Sequence, residues 1–426
     1  MATDAADVLY RQRLQRFEDA VALRQPDRVP MASLASFFMT RLAGISPGQA
    51  LYDYEAMAAA WRASAQRLGW DLAPPTFTML PGPLLDALGA RLVRWPGGSL
   101  PAHLPYQFVE AEYMSADEYP SLVRAPDDFL LRTVLPRWAQ ALTPLAAWPT
   151  ARWGRLVRPV RLLGLPPRAL WGALGGVALR LTGNPPQWRR AWAEALRWQA
   201  AQSRLAKALT ASGFPLVARA FTLTPYDFVA SFLRGLRGIS LDMHRRPQEL
   251  LAALEILRRP LTEAAIALAR RSGVPRVFLP LHRGAASFMS TAQFARFYWP
   301  HLRGMLLDLV AAGLTPLPFF EGDYTARLPF LAELPPGKVL GHFDQVDLPV
   351  ARRVLGGRVC FWGNVPASLL VAGAPAEVQA YVRRLIDTFG DSGLVVDGAV
   401  DGLPAESRPE NVAAITEAVW AYGRRR

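Results

Sequence analysis

Cysteine occurs once in the 426 residues, at Cys360, which removes any intrachain disulfide and any cysteine-rich metal site. Its setting, Val359-Cys360-Phe361-Trp362, reads as a strand holding a buried, inert thiol. Lysine is almost as scarce: Lys207 and Lys338 are the only two, so arginine carries nearly all of the formal net charge of +13. The arginines are spread through every helical stretch rather than gathered on one face with aromatics between them, which argues against a nucleic-acid surface. The charge still suits an acidic or phosphorylated small substrate. Long apolar runs are also missing. Leu165–Leu181 is interrupted by Arg168 and Arg180, leaving about a dozen uncharged residues against the roughly 20 that a membrane span needs. The expectation is therefore a buried helix or lid there rather than a membrane contact, with the flanking arginines leaving peripheral binding open. The first residues include Asp4 and Asp7 and no apolar core, so no secretory signal is expected and a cytoplasmic location follows.

What is present is a large apolar fraction, 51%, ample for one sizeable core. Leu9–Leu23 has helical spacing and ends in the turn Gln25-Pro26-Asp27-Arg28. Val29–Leu34 reads as a first strand. Ser46-Pro47 opens a helix that runs to about Leu68, and Trp70–Phe77 is a second strand. Phe214–Phe221 is a third. Five further apolar runs follow, each stopping at a polar or charged residue and each followed by a helical stretch: Arg276–His282, Thr315–Glu321, Lys338–Asp344, Arg358–Asn364 and Gly393–Asp397. Eight strands alternating with helices predict an α/β fold of the (β/α)8 TIM-barrel type as a single domain over 1–426. The rhythm is lost over 82–213, which is expected to be a large, mostly helical insertion after the second strand, placed as a lid over the barrel mouth. An open doubly wound sheet fits less well, because no Gly-x-Gly-x-x-Gly follows any strand.

Strand C-termini converge on one mouth in such barrels. The candidates there are His282, Glu321, His342, Asp344, Asn364 and, just past the last run, Asp401. Glu321 ends Pro318-Phe319-Phe320-Glu321-Gly322, a carboxylate leaving an apolar strand; it suits a metal ligand, a general acid or base, or a rim salt bridge. His282 and His342 on the flanking strands could complete a two-histidine, one-carboxylate metal set, although a lone His is often a core residue. Asn364 in Trp362-Gly363-Asn364-Val365-Pro366 could orient a carboxylate or serve as a turn residue. Asp344 joins it as a substrate-binding candidate, and Arg283 and Arg219 are available to clamp an acidic group bidentately.

Gly363-Asn364-Val365-Pro366, Leu369-Leu370, Gly373–Val378, Gly402-Leu403-Pro404 and Pro409-Glu410-Asn411-Val412 together resemble the uroporphyrinogen decarboxylase superfamily. Pro26-Asp27-Arg28-Val29-Pro30 and the stretch from Ser290 to Pro300 resemble its corrinoid-dependent methyltransferase-like branch. The resemblance implies a (β/α)8 barrel and offers two chemistries. The decarboxylases' arginine-rich substrate loop and early-strand Asp have no counterpart before Pro30 or in Thr76-Phe77-Thr78-Met79. The methyltransferases' zinc-binding His-x-Cys and later Cys fall on Phe319, Glu321 and Asp401, so the resemblance implies a harder site with Glu321 and Asp401 as ligands to zinc or another divalent metal, supplemented by His282 or His342. The expected function is methyl transfer between a corrinoid, free or on a partner protein, and a small metal-activated substrate. Decarboxylation of a tetrapyrrole or other acidic substrate is one alternative, and non-catalytic corrinoid or tetrapyrrole binding is another.

Overall fold

The structure is a computed structural model that describes residues 2–147, 185–400 and 402–424. Its centre is a six-stranded sheet, β3 (Ala220–Phe221), β4 (Arg276–Leu281), β5 (Thr315–Asp323), β6 (Leu340–Gln345), β7 (Cys360–Trp362) and β8 (Leu394–Val395), in sequential order. Every neighbouring pair is parallel. Parallel neighbours need a crossover, and helices supply it: Pro247–Ser272 leads into β4, Trp299–Ala311 into β5 and Pro375–Phe389 into β8. Three single parallel bridges continue the lateral contacts from beyond β8: Val396 with Met31, Ala32 with Leu72, and Ala73 with Leu216. The predicted strands Val29–Leu34 and Trp70–Phe77 are represented by these bridges alone.

The inward face of the sheet is packed by Phe278, Leu317, Phe319, Leu340, Cys360, Trp362 and Val395, together with Ala32, Leu34 and Leu72. Phe17, Ala20 and Val21 from the first helix, Ala2–Val21, join this cluster. Phe17 lies beneath the Arg276 guanidinium at the start of β4, so this helix covers the end where the strands begin. Cys360 is fully buried and its thiol pKa is pushed up by burial, as an inert core cysteine requires. A larger core lies between the sheet and its helices.

Between Ala73 and Leu216 the described residues include a two-stranded antiparallel ribbon, β1 (Val93–Arg94) with β2 (Gln107–Phe108), several short helices and the long helix Pro185–Ala211. Leu84, Leu88, Leu131, Leu142 and Trp188 form a hydrophobic cluster of their own here. The apolar stretch Leu165–Leu181 lies outside the described residues. Among the described residues, no helix is long and apolar enough to cross a membrane.

Candidate functional site

Alternation along the strands builds the site in layers. Phe319 pairs with His342, His342 with Trp362, and Trp362 with Val395, so these side chains share the inward face. Two residues further along the chain stand Glu321, Asp344 and Asn364, with Asp397 two after Val395; the pairing register shifts between Phe320 and Asp323. The apolar layer is thus topped by a polar one at the C-terminal ends of the strands.

His282 and Glu321 meet there. His282 Nδ1 lies 2.9 Å from Glu321 Oε2, and the two side chains are 40% and 41% exposed. They line a cavity of about 240 Å3 whose other walls include Arg283, Phe288, Phe232, Phe108 and Glu110. An ionised carboxylate can only accept, so Nδ1 carries the hydrogen in this contact and Nε2 is left as the nitrogen able to take a proton. Burial disfavours the His282 imidazolium, but the hydrogen bond to Glu321 and the charge of Asp227 outweigh it, and the pKa is raised overall.

Behind the pair, Asp227 is fully buried and accepts hydrogen bonds from the Thr224 hydroxyl at 2.8 Å, the Arg283 amide at 2.9 Å and the Tyr298 hydroxyl. Burial raises its pKa against these bonds and the nearby His282. Arg283 is pinned from three sides: its amide on Asp227, its guanidinium 5.0 Å above the Phe288 ring, and Nη2 3.1 Å from Glu110 Oε2. Glu110 and the 63% exposed Phe108 come from the segment after β1, which therefore reaches this cavity.

The other candidates lie elsewhere in the layer. Asp344 Oδ2 accepts from the Gly322 amide at 2.9 Å; burial raises its pKa, and the Glu321 charge adds to this. Gly322 has φ +85°, a conformation glycine adopts without strain, and this turns its amide onto Asp344. Asn364 is buried, donates to the Asp344 carbonyl at 3.0 Å and accepts from the Tyr381 hydroxyl at 3.1 Å, so it ties strand ends together. His342 is fully buried between the Phe319 and Trp362 rings, with Nε2 3.3 Å from Asp397 Oδ2. Asp401 lies outside the described residues.

A catalytic zinc takes three protein ligands. Among the described residues no group of three or more His, Cys, Asp or Glu side chains is placed to hold a metal ion. His282 and Glu321 are two donors already bonded to each other, and His342 is sealed in the apolar layer between Phe319 and Trp362. The described donor set does not fit a metal as it stands.

Sequence reasoning missed Asp227, Tyr298 and Glu110. Thr224-Pro225 signals a helix start, and Thr224 does cap one by accepting from the Asp227 amide at 3.0 Å. Nothing in that signal says that the Asp227 carboxylate turns toward β4.

A family model described as uroporphyrinogen decarboxylase (URO-D) matches residues 198–422, just over half of the chain. A uroporphyrinogen decarboxylase of Paraburkholderia phytofirmans is 34% identical over 79 residues, 18% of this chain and 21% of that protein. One from Klebsiella pneumoniae is 25% identical over 199 residues, 47% of this chain and 56% of that protein. The matches thus span from about a fifth to about half of these relatives' length. Among solved structures, a methyltransferase from Methanosarcina mazei aligns with a TM-score of 0.60 at 14% identity, covering 96% of this chain and 98% of that one. That likeness is one of fold.

Proposed function

This chain belongs to the uroporphyrinogen decarboxylase family, and from that membership we propose that it is an enzyme whose His282–Glu321 pair moves a proton during methyl transfer to or from a small substrate held in the mouth cavity. The single observation that carries this is the 2.9 Å contact between His282 Nδ1 and Glu321 Oε2 on the wall of that cavity. We read the three single bridges as the closure of a (β/α)8 barrel, and residues 82–213 as an insertion within one domain whose Phe108 and Glu110 act as a lid.

For an acceptor X–H, the donor's bond to the methyl group breaks and leaves its electron pair on the donor, the new X–C bond forms, and the X–H proton leaves to His282 Nε2. The positive charge developing on the imidazole is held by Glu321 at Nδ1, and Asp227 behind it adds a second favourable charge. The reverse direction runs through the same atoms: the His282 imidazolium returns its proton to the departing X. Arg283, fixed by Asp227, Phe288 and Glu110, places a cation at the wall for an acidic substituent. A corrinoid, bound or carried on a partner protein, supplies the methyl group in this reading. The metal-dependent version needs a third donor beside His282 and Glu321, and Asp401 is the residue that the family resemblance offers for it. Elemental analysis of the purified protein tests that version.

The test of the main reading is a methyl-transfer assay with methylcobalamin and a panel of thiol and phenol acceptors. Removing a general acid or base costs about 10²–10⁴-fold, so Glu321→Gln and His282→Gln are each expected to lower turnover by that order while the fold persists. Turnover unchanged in both variants overturns the reading. The second reading is decarboxylation of an acidic substrate, favoured by the names of the curated relatives. Carbon dioxide release from porphyrinogens, with no methyl transfer, would establish it instead.

A further inference from the structure

A second cavity, of about 370 Å3, shares no residue with the mouth cavity and is lined by groups that the proposed reaction leaves unused. Strand and helix residues meet there: Phe77, Phe221 and Arg219 on one side, Trp198 and Gln202 from the helix Pro185–Ala211, and Arg271 from the end of Pro247–Ser272. Three features of this wall go together.

The first is an unpaired cation. Arg219 is half-buried, and no ion pair or hydrogen bond to it is found among the described residues. Burial lowers its pKa, with no neighbouring charge acting in either direction. Residues 148–184 contain no Asp or Glu, so that stretch holds no carboxylate to neutralise it. A partly desolvated guanidinium without a counter-charge is unfavourable unless something completes it. The second feature is an unused donor. Gln202 Oε1 accepts from the Thr76 hydroxyl, which fixes the amide and leaves Nε2 buried without a partner. The third is an aromatic shelf. Phe221 is 47% exposed, although its ring stacks on Phe77 at 5.5 Å and 28°. Two donors wanting an acceptor and an open ring face define one kind of ligand: flat, unsaturated and negatively charged. The volume is at the low end of small-molecule sites, suited to one or two rings.

We propose that this cavity binds a small aromatic carboxylate, with the carboxylate on Arg219 and the Gln202 amide and the ring on the Phe77–Phe221 shelf. Arginine meets a carboxylate through a planar, two-pronged contact that lysine does not reproduce. Arg271, exposed at the edge, adds charge without supplying the primary contact.

The probe is 2-naphthoate, titrated into the full-length protein by calorimetry beside neutral 2-naphthamide and non-aromatic cyclohexanecarboxylate. The expected result is saturable naphthoate binding tighter than about 1 mM, with both comparison compounds at least tenfold weaker. Hydrogen bonds to charged groups correspond to about ten- to hundredfold in affinity, so Arg219→Gln is expected to weaken naphthoate by that factor and Arg219→Lys to rescue it only in part. Glu321→Gln, in the mouth cavity, should leave naphthoate binding unchanged. The comparison of naphthoate with naphthamide uses the unmodified protein, and Arg271→Gln alters only an exposed side chain, so the test stands even if Arg219 variants fold poorly. Equal binding of the acid and its amide, unchanged binding in Arg219→Gln, loss of binding in Glu321→Gln, or no saturable binding at all would each overturn the proposal.

Discussion

His342 Nε2 lies 3.3 Å from Asp397 Oδ2 with neither side chain exposed, and the pair joins β6 to the residues just after β8 inside an otherwise apolar layer. Neither ring nitrogen of His342 is in hydrogen-bonding geometry with a neighbour. Asp397 is better held, accepting from the Gly398 amide at 2.8 Å and the Leu34 amide at 3.2 Å. Burial raises its pKa, and the His342 contact only partly opposes this. A carboxyl whose folded pKa is raised holds its proton longer in the native state than in the unfolded one. Stability is then full below the unfolded pKa, about 3.9, and declines as pH climbs through the folded value. Asp397→Asn should remove that decline. Urea denaturation across pH 4–8 checks it, and parallel slopes for the two proteins would contradict it.

The His282–Glu321 pair has the opposite chemical character and a clear sign. The His282 pKa is raised, so the charged pair stabilises the fold below the histidine's ordinary value and loses its effect as pH rises through the folded value. Both side chains are about two-fifths exposed, so Glu321→Gln should cost under ~1 kcal/mol. The larger effect is on titration. Without Glu321 the His282 pKa falls, and any activity that depends on neutral His282 should have its acidic limb shifted to lower pH. Histidine NMR titration of the wild type and Glu321→Gln measures this directly.

The strands were legible because each apolar run stops abruptly at a polar residue, and that contrast survives without any knowledge of partners. The direction of a side chain is not legible in the same way. His282 and His342 look alike in sequence, yet one opens onto a cavity and the other is sealed between Phe319 and Trp362. The Arg283–Glu110 contact joins residues 173 apart, so no local pattern could announce that the segment after β1 reaches the site. The family-like motifs were visible, but much of what they do is architectural. Tyr298, in the Ser290–Pro300 stretch, bonds Asp227, and Arg28 and Asn411 are clamps.

Arg28 illustrates the first clamp. Its Nη1 and Nη2 each lie 2.8 Å from one oxygen of Asp71, which is fully buried and also accepts from Arg16 at 2.6 Å and the Met31 amide at 2.9 Å. The two predicted N-terminal strands are thereby joined where a single bridge links their backbones. Removing one partner leaves a buried charge uncompensated, at a cost of about 3–5 kcal/mol. Asp71→Asn and Arg28→Met should both reach that range in chemical denaturation, and a loss under ~1 kcal/mol in Arg28→Met would show that Arg16 alone suffices.

Gly284 permits the close approach that supports Asp227. A Cβ there would collide with the Tyr324 hydroxyl and come within 2.9 Å of Tyr298 Cζ, and Tyr298 is a donor to Asp227. Gly284→Ala should cost about 1–3 kcal/mol through overpacking. It should also shift the His282 titration, because Asp227 is one of the charges that raises it. Unchanged stability together with an unchanged His282 titration would mean the tyrosines relax at no cost.

Asn411 separates shape from charge at the C-terminal helix, Pro409–Tyr422. Its side-chain amide nitrogen is within 2.9–3.1 Å of three carbonyls, those of Leu369, Leu370 and Gly373, and the residue is fully buried. These carbonyls belong to the last turn of the helix Ala367–Ala372 and the residue after it, where the ladder of intrahelical donors runs out and only the Gly373 and Arg408 amides reach Leu369 and Leu370. Asn411→Ala removes the donor that all three share; Leu369 and Leu370 keep the Gly373 and Arg408 amides, Gly373 loses its side-chain partner, and the cost should be about 1–3 kcal/mol. Asn411→Asp is nearly identical in shape but replaces a donor with an acceptor facing three acceptors, so it should be the more damaging change at neutral pH. Lowering the pH toward the carboxyl's own pKa should recover part of that extra loss, since a protonated Asp regains one donor. Melting curves for both variants at pH 5 and pH 8 test this, and an Asp variant that is as stable as the Ala variant at pH 8 would refute the clamp.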